Sequence, residues 1–293
     1  MNLTLRCILW LSIGFMPGLL LAQNKKLGRC TALPAELKEV SGMTRLPNGD
    51  LWLLNDSRNP AHLYRFEPFS KQLLEVRKLP LKNMDWEDLT HDPAGNLYIG
   101  DFGNNGNRRQ NLRIYRYNPA THALDSILFR YPDQTAFPPE RVEDWNFNCE
   151  AMVYFQDSLH LFSKNSFKGN FYTKHYVLPA KPGGEYVAEF RDSIQLKNRV
   201  VTGAALSQDG KVLALTGYIM RRQLGFLPFT RASVLYFTEF KGSQFLNGKQ
   251  RWRRLPKFLF SRQFESITPW EGNLWLVANE GRRPQVQRLW KIK

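Results

Sequence analysis

The sequence contains little of what marks most enzymes and membrane proteins. After an apolar segment in the first 22 residues it has no long hydrophobic run, so we expect no transmembrane segment in the mature protein. It has neither a Gly-x-Ser-x-Gly nor a His-Glu-x-x-His motif, and its five histidines show no metal-ligand spacing. The sequence therefore shows neither a nucleophile–base pair nor a zinc motif.

The apolar segment has the features of an export signal. Arg6 supplies a positive charge, Gly14 and Pro17 interrupt the apolar residues, and Ala22 precedes a polar stretch. These features predict a signal peptide over residues 1–22 and a periplasmic or secreted protein. An uncleaved anchor is the alternative. The remaining residues, 23–293, are predicted to form a single domain.

Cysteine is scarce as well. The chain has three, and removal of Cys7 with the signal leaves Cys30 and Cys149. An exported protein could pair them. The architecture predicted below places them far apart, so we expect two unpaired, buried thiols.

Charge is strongly unbalanced. Lys and Arg number 41 against 26 Asp and Glu, a net charge of +15, and "KQRWRRLPK" lies among several basic clusters in the last third. This indicates either an anionic partner, such as a polyanionic glycan or a lipid headgroup, or simply a solvated basic surface. No nucleic-acid-binding module accompanies the charge, so we do not expect nucleic acid.

Five segments of the chain repeat one pattern. They are "EVSGMTRLPNGDLWLLND", "WEDLTHDPAGNLYIGDFG", "CEAMVYFQDSLHLFSKN", "VTGAALSQDGKVLALTGY" and "FESITPWEGNLWLVANEG". In each, a short strand leads through a turn rich in Asn, Asp and Gly into an apolar strand. A third strand carrying an aromatic residue follows, and a fourth is visible after most units, including "YVAEFRDSIQL".

Four antiparallel strands per unit, without a convincing helix, predict an all-β fold, a β-propeller of four-stranded blades. Five blades are favoured, and six are the alternative if an insertion hides one. The insertions are expected at "DQTAFPPERVEDWNFN" and "IMRRQLGFLPFT". The fifth unit lacks a fourth strand, which "LGRCTALP" near the N-terminus can supply to close the ring.

An acid begins the first strand of four units. The four are Glu39, Glu87, Glu150 and Glu265, and Thr202 takes the fourth unit's place. First strands of a propeller line its channel, so these carboxylates should converge at one mouth and repel one another unless neutralised. Oxygen donors are what Ca²⁺ prefers, and we predict that these four glutamates bind it. A structural role, with Lys164 as one partner, and a catalytic carboxylate pair are the alternatives.

The same face should carry a ligand. Second strands run antiparallel to the first, so their ends lie beside the leading acids, and a polar loop follows the second strand of unit two. The candidate ligand-binding residues are Asp56, Asp85, Asp101, Asn104, Asn105, Lys164, Tyr218, Asn279 and Glu280.

Four stretches carry a family resemblance. "KEVSGM", "MDWEDLTHDPAGNLYIGDFGN", "NCEAMVYF" and "FESITPWEGNLWLVANE" resemble the SdiA-regulated-domain family of exported bacterial propellers and, more distantly, gluconolactonase/regucalcin-like and esterase-like phytase propellers. The resemblance implies a calcium-binding propeller in which Glu39 matches a metal-ligating glutamate of the gluconolactonase-like group. That group's catalytic Asp has no clear counterpart here.

These observations predict an exported monomer that binds Ca²⁺ at the channel mouth. A small ligand, glycan or protein would bind on the same face. The alternative is a metal-dependent hydrolase of lactonase, esterase or phytase type.

Overall fold

The computed structural model describes residues 30–166, 169–196, 198–223, 227–255, 263–272, 274–281 and 285–290. The predicted signal peptide lies outside these residues. Within them the secondary structure is almost entirely strand. The strands are β1 (Cys30–Ala32), β2 (Val40–Arg45), β3 (Leu51–Asn55), β4 (His62–Glu67), β5 (Gln72–Lys78), β6 (Trp86–His91), β7 (Leu97–Asp101), β8 (Leu112–Tyr117), β9 (Leu124–Arg130), β10 (Asn148–Phe155), β11 (Ser158–Lys164), β12 (Tyr172–Pro179), β13 (Glu185–Val187), β14 (Glu189–Gln195), β15 (Val200–Leu206), β16 (Leu213–Gln223), β17 (Leu227–Thr238), β18 (Lys249–Arg254), β19 (Phe264–Pro269), β20 (Leu274–Asn279) and β21 (Gln285–Trp290). Single 3₁₀ turns occur at Ala35–Leu37, Val142–Asp144 and Phe245–Asn247.

The strands form five sheets, each the blade of a β-propeller. The blades are β2–β5, β6–β9, β10–β12 with β14, β15–β18, and β19–β21 with β1. The inner strands β2, β6, β10, β15 and β19 contact one another in that order, and β19 contacts β2. This closed ring confirms the predicted five-bladed propeller.

Turn chemistry sets the first hairpin of each blade. Gly49 and Gly95 have φ angles of 95° and 82°, a region that glycine enters without steric cost. The third blade makes the same connection through Gln156 and Asp157, also at positive φ. These hairpins all lie at the end of the ring where the inner strands finish.

The ring closes as the sequence predicted. β1 pairs antiparallel with β21, with Cys30 opposite Gln287, and becomes the outermost strand of the last blade. Cys149, on inner strand β10, is buried and free. The side chain of Cys30 is outside the described part of the structure. The pairing therefore places the two cysteines at opposite radial positions.

The core lies between blades. Five clusters of buried apolar side chains each join two consecutive blades, including the last with the first. Trp52, Trp86 and Trp275 are among the largest side chains that are fully buried. At about 25 cal/mol per Å² of apolar surface, burial between blades is the main force that holds the ring together.

One detail differs from the sequence-based prediction, and one predicted insertion takes a regular structure. The stretch predicted as one strand, "YVAEFRDSIQL", divides at buried Ala188: β13 pairs parallel with β9 as a fifth strand of the second blade, and β14 completes the third. The predicted insertion "IMRRQLGFLPFT" extends β16 and β17 into a long hairpin, with Ile219 opposite Arg231. The other insertion forms the connection between β9 and β10.

Among the described residues, no helix is long and apolar enough to cross a membrane.

Candidate functional site at the channel mouth

Every inner strand contains a β-bulge near its start. The pairing of the inner strand with the second strand skips one residue at the same place in each blade. The skipped residues are Ser41, Glu87, Glu150, Thr202 and Glu265. A bulge leaves one residue unpaired and redirects its side chain, so the fold presents five side chains around one end of the channel. We call this end the mouth.

The bulges correct the sequence alignment of the first unit. Glu39 was aligned with Glu87 because both are acids, but the register places Ser41 there. Glu39 lies two residues earlier, and its Oε2 accepts a hydrogen bond of 2.6 Å from Nδ2 of Asn59. Three glutamates, not four, therefore occupy the repeated position.

The two hydroxyl-bearing bulge residues join blades. Ser41 Oγ donates to the carbonyl of Glu87 at 2.7 Å, and Thr202 Oγ1 donates to the carbonyl of Phe264 at 2.8 Å. Both bonds are buried and run to the inner strand of a neighbouring blade. A short hydroxyl suffices where the bulge serves only to fix the ring.

One of the three glutamates belongs to an acidic cluster. Asp56 follows β3, Asp85 precedes β6, and Glu87 is on β6; one carboxylate oxygen from each lies within 4.8 Å of the others. Burial raises the pKa of Asp56 to about 7 and raises that of Asp85. Burial also raises the pKa of Glu87, and Glu150, Asp56 and Asp85 add to the effect.

Glu87 stands out within the cluster. Its residue is 5% exposed, and among the described residues its carboxylate accepts no hydrogen bond. Asp56, by contrast, accepts one from the backbone N–H of Ser57. A buried carboxylate without a partner is costly, which is the arrangement that a bound cation would relieve.

Asn83 fixes the loops that carry the two aspartates. Its Nδ2 donates to the carbonyl of Asp56 at 2.8 Å, and its Oδ1 accepts from the backbone N–H of Trp86 at 3.0 Å. Gly103 packs directly against the carboxylates. A Cβ there would lie 2.2 Å from Oε1 of Glu87 and 2.5 Å from Oδ2 of Asp85, so the position has no room for a side chain. Sequence reasoning missed both residues, since neither carries charge.

Glu150 has a different environment. Nζ of Lys164 lies 2.5 Å from both of its carboxylate oxygens, and Asn148 Nδ2 donates to Oε1 at 3.1 Å. The ammonium also lies 5.7 Å from the ring centroid of Tyr218. Burial lowers the pKa of Lys164, but Glu150 and the other acids outweigh it and raise that pKa well above its usual range.

Glu265 completes the mouth in the fifth blade. It is 7% exposed, and burial raises its pKa, with Glu280 the largest neighbouring contribution. Glu280 accepts a hydrogen bond from Nε2 of Gln263. Asn279 is buried and donates to the carbonyl of Glu280 at 2.9 Å.

The loop after β7 is organised by its own polar residues. Asn104 Oδ1 accepts the backbone N–H groups of Arg108 and Arg109 at 2.8 and 2.9 Å. Asp101 is fully buried and pairs with Arg109 at 2.8 Å. Exposed Asn105 accepts from Nδ2 of Asn148 at 3.1 Å. Of these predicted ligand-binding residues, only Asn105 is exposed, and sequence reasoning missed the structural arginine, Arg109.

Asp88 is buried next to the bulge of β6 and connects three inner strands. Its carboxylate accepts the backbone N–H groups of Leu89 at 2.8 Å, Met152 at 2.7 Å and Ala204 at 3.4 Å, on the inner strands of three blades. Gly203, at the same level, leaves no space, because a Cβ there would lie 2.4 Å from the carbonyl oxygen of Glu265. Asp88 therefore ties the inner strands of three blades together next to the mouth.

Known proteins resemble the chain only in structure. No protein-family model and no curated protein matches the sequence. A streptogramin B lyase structure is 9% identical, with 90% of this chain and 86% of that one covered and a TM-score of 0.46. A putative gluconolactonase is 13% identical, with 87% and 76% covered and a TM-score of 0.46.

Hydrazine synthase of Kuenenia stuttgartiensis is 14% identical, with a TM-score of 0.39. The alignment covers 83% of this chain but 56% of that one. With identities of 14% or less and TM-scores below 0.5, these similarities assign no activity, substrate or ligand to this chain.

Proposed function

We propose that the mouth binds a divalent cation, Ca²⁺ by the chemistry of its donors, on Asp56, Asp85 and Glu87. The observation that carries the proposal is the convergence of three carboxylates within 4.8 Å around the buried, unpartnered Glu87. Like charges at that distance raise one another's pKa unless a cation neutralises them. Carboxylate oxygens without imidazole or thiolate suit a hard cation.

The ion-paired lysine supports a ligand beside the cation. Lys164 contributes to the electrostatic surroundings of Asp85 and Glu87, and its ammonium is held by Glu150 rather than by the cluster. A small ligand, glycan or protein carrying an anionic oxygen could contact both the cation and Lys164. Binding, rather than turnover, is the proposed activity, because the described mouth residues include no nucleophile activated by a base.

The remaining sequence-based expectations stay predictions. They are export, membership of the SdiA-regulated-domain-like group and, as the alternative function, a metal-dependent hydrolase acting on a lactone, ester or phytate. The hydrolase alternative would use the same cation to polarise a substrate oxygen or activate water. It is tested by assaying those substrates with and without Ca²⁺.

Calorimetry and thermal unfolding of the purified protein test the cation. We expect CaCl₂ to bind at one site and to stabilise the fold by about 2.7 kcal/mol at a free concentration 100 times the Kd. Glu87→Gln should abolish both effects. Asp125→Asn, which alters an exposed acid paired with Arg116 on an outer strand, is the matched control and should bind as the wild type does. If neither Ca²⁺ nor EDTA changes the melting temperature of the wild type, the proposal is wrong.

A further inference from the structure

The opposite end of the channel holds a second cavity. Its volume is about 820 Å³, and residues from the inner strands of all five blades line it. Three positions after each bulge, the strands contribute Thr44, Thr90, Val153, Ala205 and Thr268. We call this cavity the lower chamber. Its volume lies within the range of small-molecule pockets, about 300–1,000 Å³.

The walls of the lower chamber are mostly apolar. Leu89, Val153 and Ile267 line it and are each 1% exposed, and Ala204 and Ala205 are small. Because these two residues of the fourth blade are small, they leave space in the chamber that larger side chains would fill. Such a surface favours an apolar occupant, because burying it releases ordered water.

The threonine hydroxyls of the chamber are already used between blades. Thr90 Oγ1 accepts the backbone N–H of Tyr154 at 3.3 Å, and Thr268 Oγ1 accepts that of Arg45 at 3.1 Å. Thr44 Oγ1 lies 2.8 Å from Nδ1 of His91. Among the described residues, Nε2 of His91 forms no hydrogen bond, so this ring nitrogen is available to a ligand.

The charged groups of the lining are likewise occupied. Arg45 lies 4.4 Å over the ring of Trp270 and 3.5 Å from Glu271. Asp92 accepts from Nδ2 of Asn96 at 2.7 Å. Burial lowers the pKa of His91, which keeps that ring neutral at neutral pH.

The two remaining acids of the lining lie on the rim. Asp157 accepts from the hydroxyl of Tyr154 at 2.6 Å, and Asp209 accepts from that of Ser207 at 2.5 Å. An anionic ligand would therefore find no unpaired cation on the described lining, because Arg45 already pairs with Glu271, and its desolvation would go uncompensated.

We propose that the lower chamber is a binding site for an uncharged, largely apolar organic molecule that hydrogen-bonds to Nε2 of His91. On β6, Asp88 lies between Glu87 of the mouth and Leu89 of the lower chamber, and we expect the apolar molecule to bind independently of the cation. This site goes beyond the proposed cation-binding function, and the two proposals do not depend on each other.

Two matched probes test the proposal. N-Phenyl-1-naphthylamine is uncharged, has two aromatic ring systems and one N–H, and becomes strongly fluorescent in an apolar environment. 8-Anilinonaphthalene-1-sulfonate has the same framework with an added negative charge. We expect the uncharged probe to bind saturably at one site, with the sulfonate at least about tenfold weaker. Because the net charge of +15 can bind the sulfonate elsewhere on the surface, the deciding result is competition: displacement of the uncharged probe by an equal or lower concentration of the sulfonate would overturn the proposal.

Two variants and one spectroscopic reporter locate the probe. Ala205→Phe, which fills the chamber, should weaken binding at least about tenfold, whereas Ala123→Phe, in an exposed turn, should leave it within about twofold. The ¹³C-methyl resonance of Met43, on the chamber lining, should shift, whereas that of Met84, 44% exposed and next to Asp85 at the mouth, should not. The methyl spectrum of the wild type locates the probe even if Ala205→Phe does not fold. Saturable binding without a shift of the Met43 methyl resonance would overturn the proposal.

Discussion

The ammonium of Lys164 lies 2.5 Å from each carboxylate oxygen of Glu150. Their side chains are 14% and 5% exposed, so the pair is largely withdrawn from water. It divides the mouth into two parts: Glu150 already has its cation, whereas the cluster of Asp56, Asp85 and Glu87 has none among the described residues. A bound metal is therefore expected at the cluster, on the side of the first two blades.

Breaking this pair should destabilise the protein. Lys164→Met leaves the Glu150 carboxylate buried without its cation, and we expect the free energy of unfolding to fall by about 3 kcal/mol at pH 7. Urea unfolding measures it. Lys164→Met combined with Glu150→Gln is the control, because it removes the orphaned charge and should recover most of the loss. A double variant no more stable than Lys164→Met would show that the cost lies in packing and not in charge.

Two glycines of one loop separate the cation site from general loop effects. A Cβ at Gly103 would lie 2.2 Å from Oε1 of Glu87, whereas at Gly106 its nearest neighbour is Arg108 at 3.8 Å. We expect Gly103→Ala to weaken Ca²⁺ binding by about tenfold or more, about 1.4 kcal/mol, because the carboxylates must move apart. Gly106→Ala should bind within about twofold of the wild type. Calorimetric titration measures both, and equal affinities would place the cation elsewhere.

The fold was predictable because the repeat encodes it in local signals. Turn residues such as Asn48-Gly49, followed by apolar strands, recur five times, and the missing last strand identified β1 as the closing strand. The fifth strand of the second blade was not predictable, because β13 is three residues long and pairs with a strand more than 50 residues earlier in the chain. A short run of sequence does not specify which of two blades it joins.

The site was only partly predictable for a related reason. The sequence showed which acids recur but not the extra residue that each bulge inserts, so Glu39 was placed in the position that Ser41 holds. Ion pairs such as that of Lys164 with Glu150 depend on the distance between strand ends, which the sequence does not give. The sequence therefore offered this pairing only as one of several alternatives. Gly103 was missed because its role is to leave space.

The raised pKa of Asp56 predicts how stability depends on pH without metal. The pKa of Asp56 is about 7 in the fold against 3.8 for an ordinary aspartate, so the folded state binds the proton more tightly than the unfolded chain does. The contribution of Asp56 is therefore fully present below about pH 4 and is lost as pH rises through 7. In EDTA, we expect the stability of the wild type relative to Asp56→Asn to fall between pH 5 and pH 8.

Urea unfolding of the two proteins at each pH measures this difference, in which the titrations of groups that do not interact with Asp56 cancel. Asp125→Asn is the control, because it changes an exposed acid paired with Arg116 on an outer strand and leaves the mouth unchanged. Ca²⁺ should restore the wild type at pH 8 and not Asp56→Asn. A difference that is constant between pH 5 and pH 8 would contradict the raised pKa.

Asp88 should be the most sensitive acid of the ring. Its carboxylate accepts hydrogen bonds from backbone N–H groups of β6, β10 and β15. Because Asp88 is 1% exposed, water from the solvent does not reach these donors in its place. Asp88→Ala would leave these donors buried and unpaired, at about 1–3 kcal/mol for each unsatisfied group, so we expect a loss of at least about 3 kcal/mol in urea unfolding. Asp125→Ala, which removes an exposed ion pair with Arg116, should cost less than about 1 kcal/mol. Equal losses would mean that the hydrogen bonds of Asp88 do not hold the inner strands together.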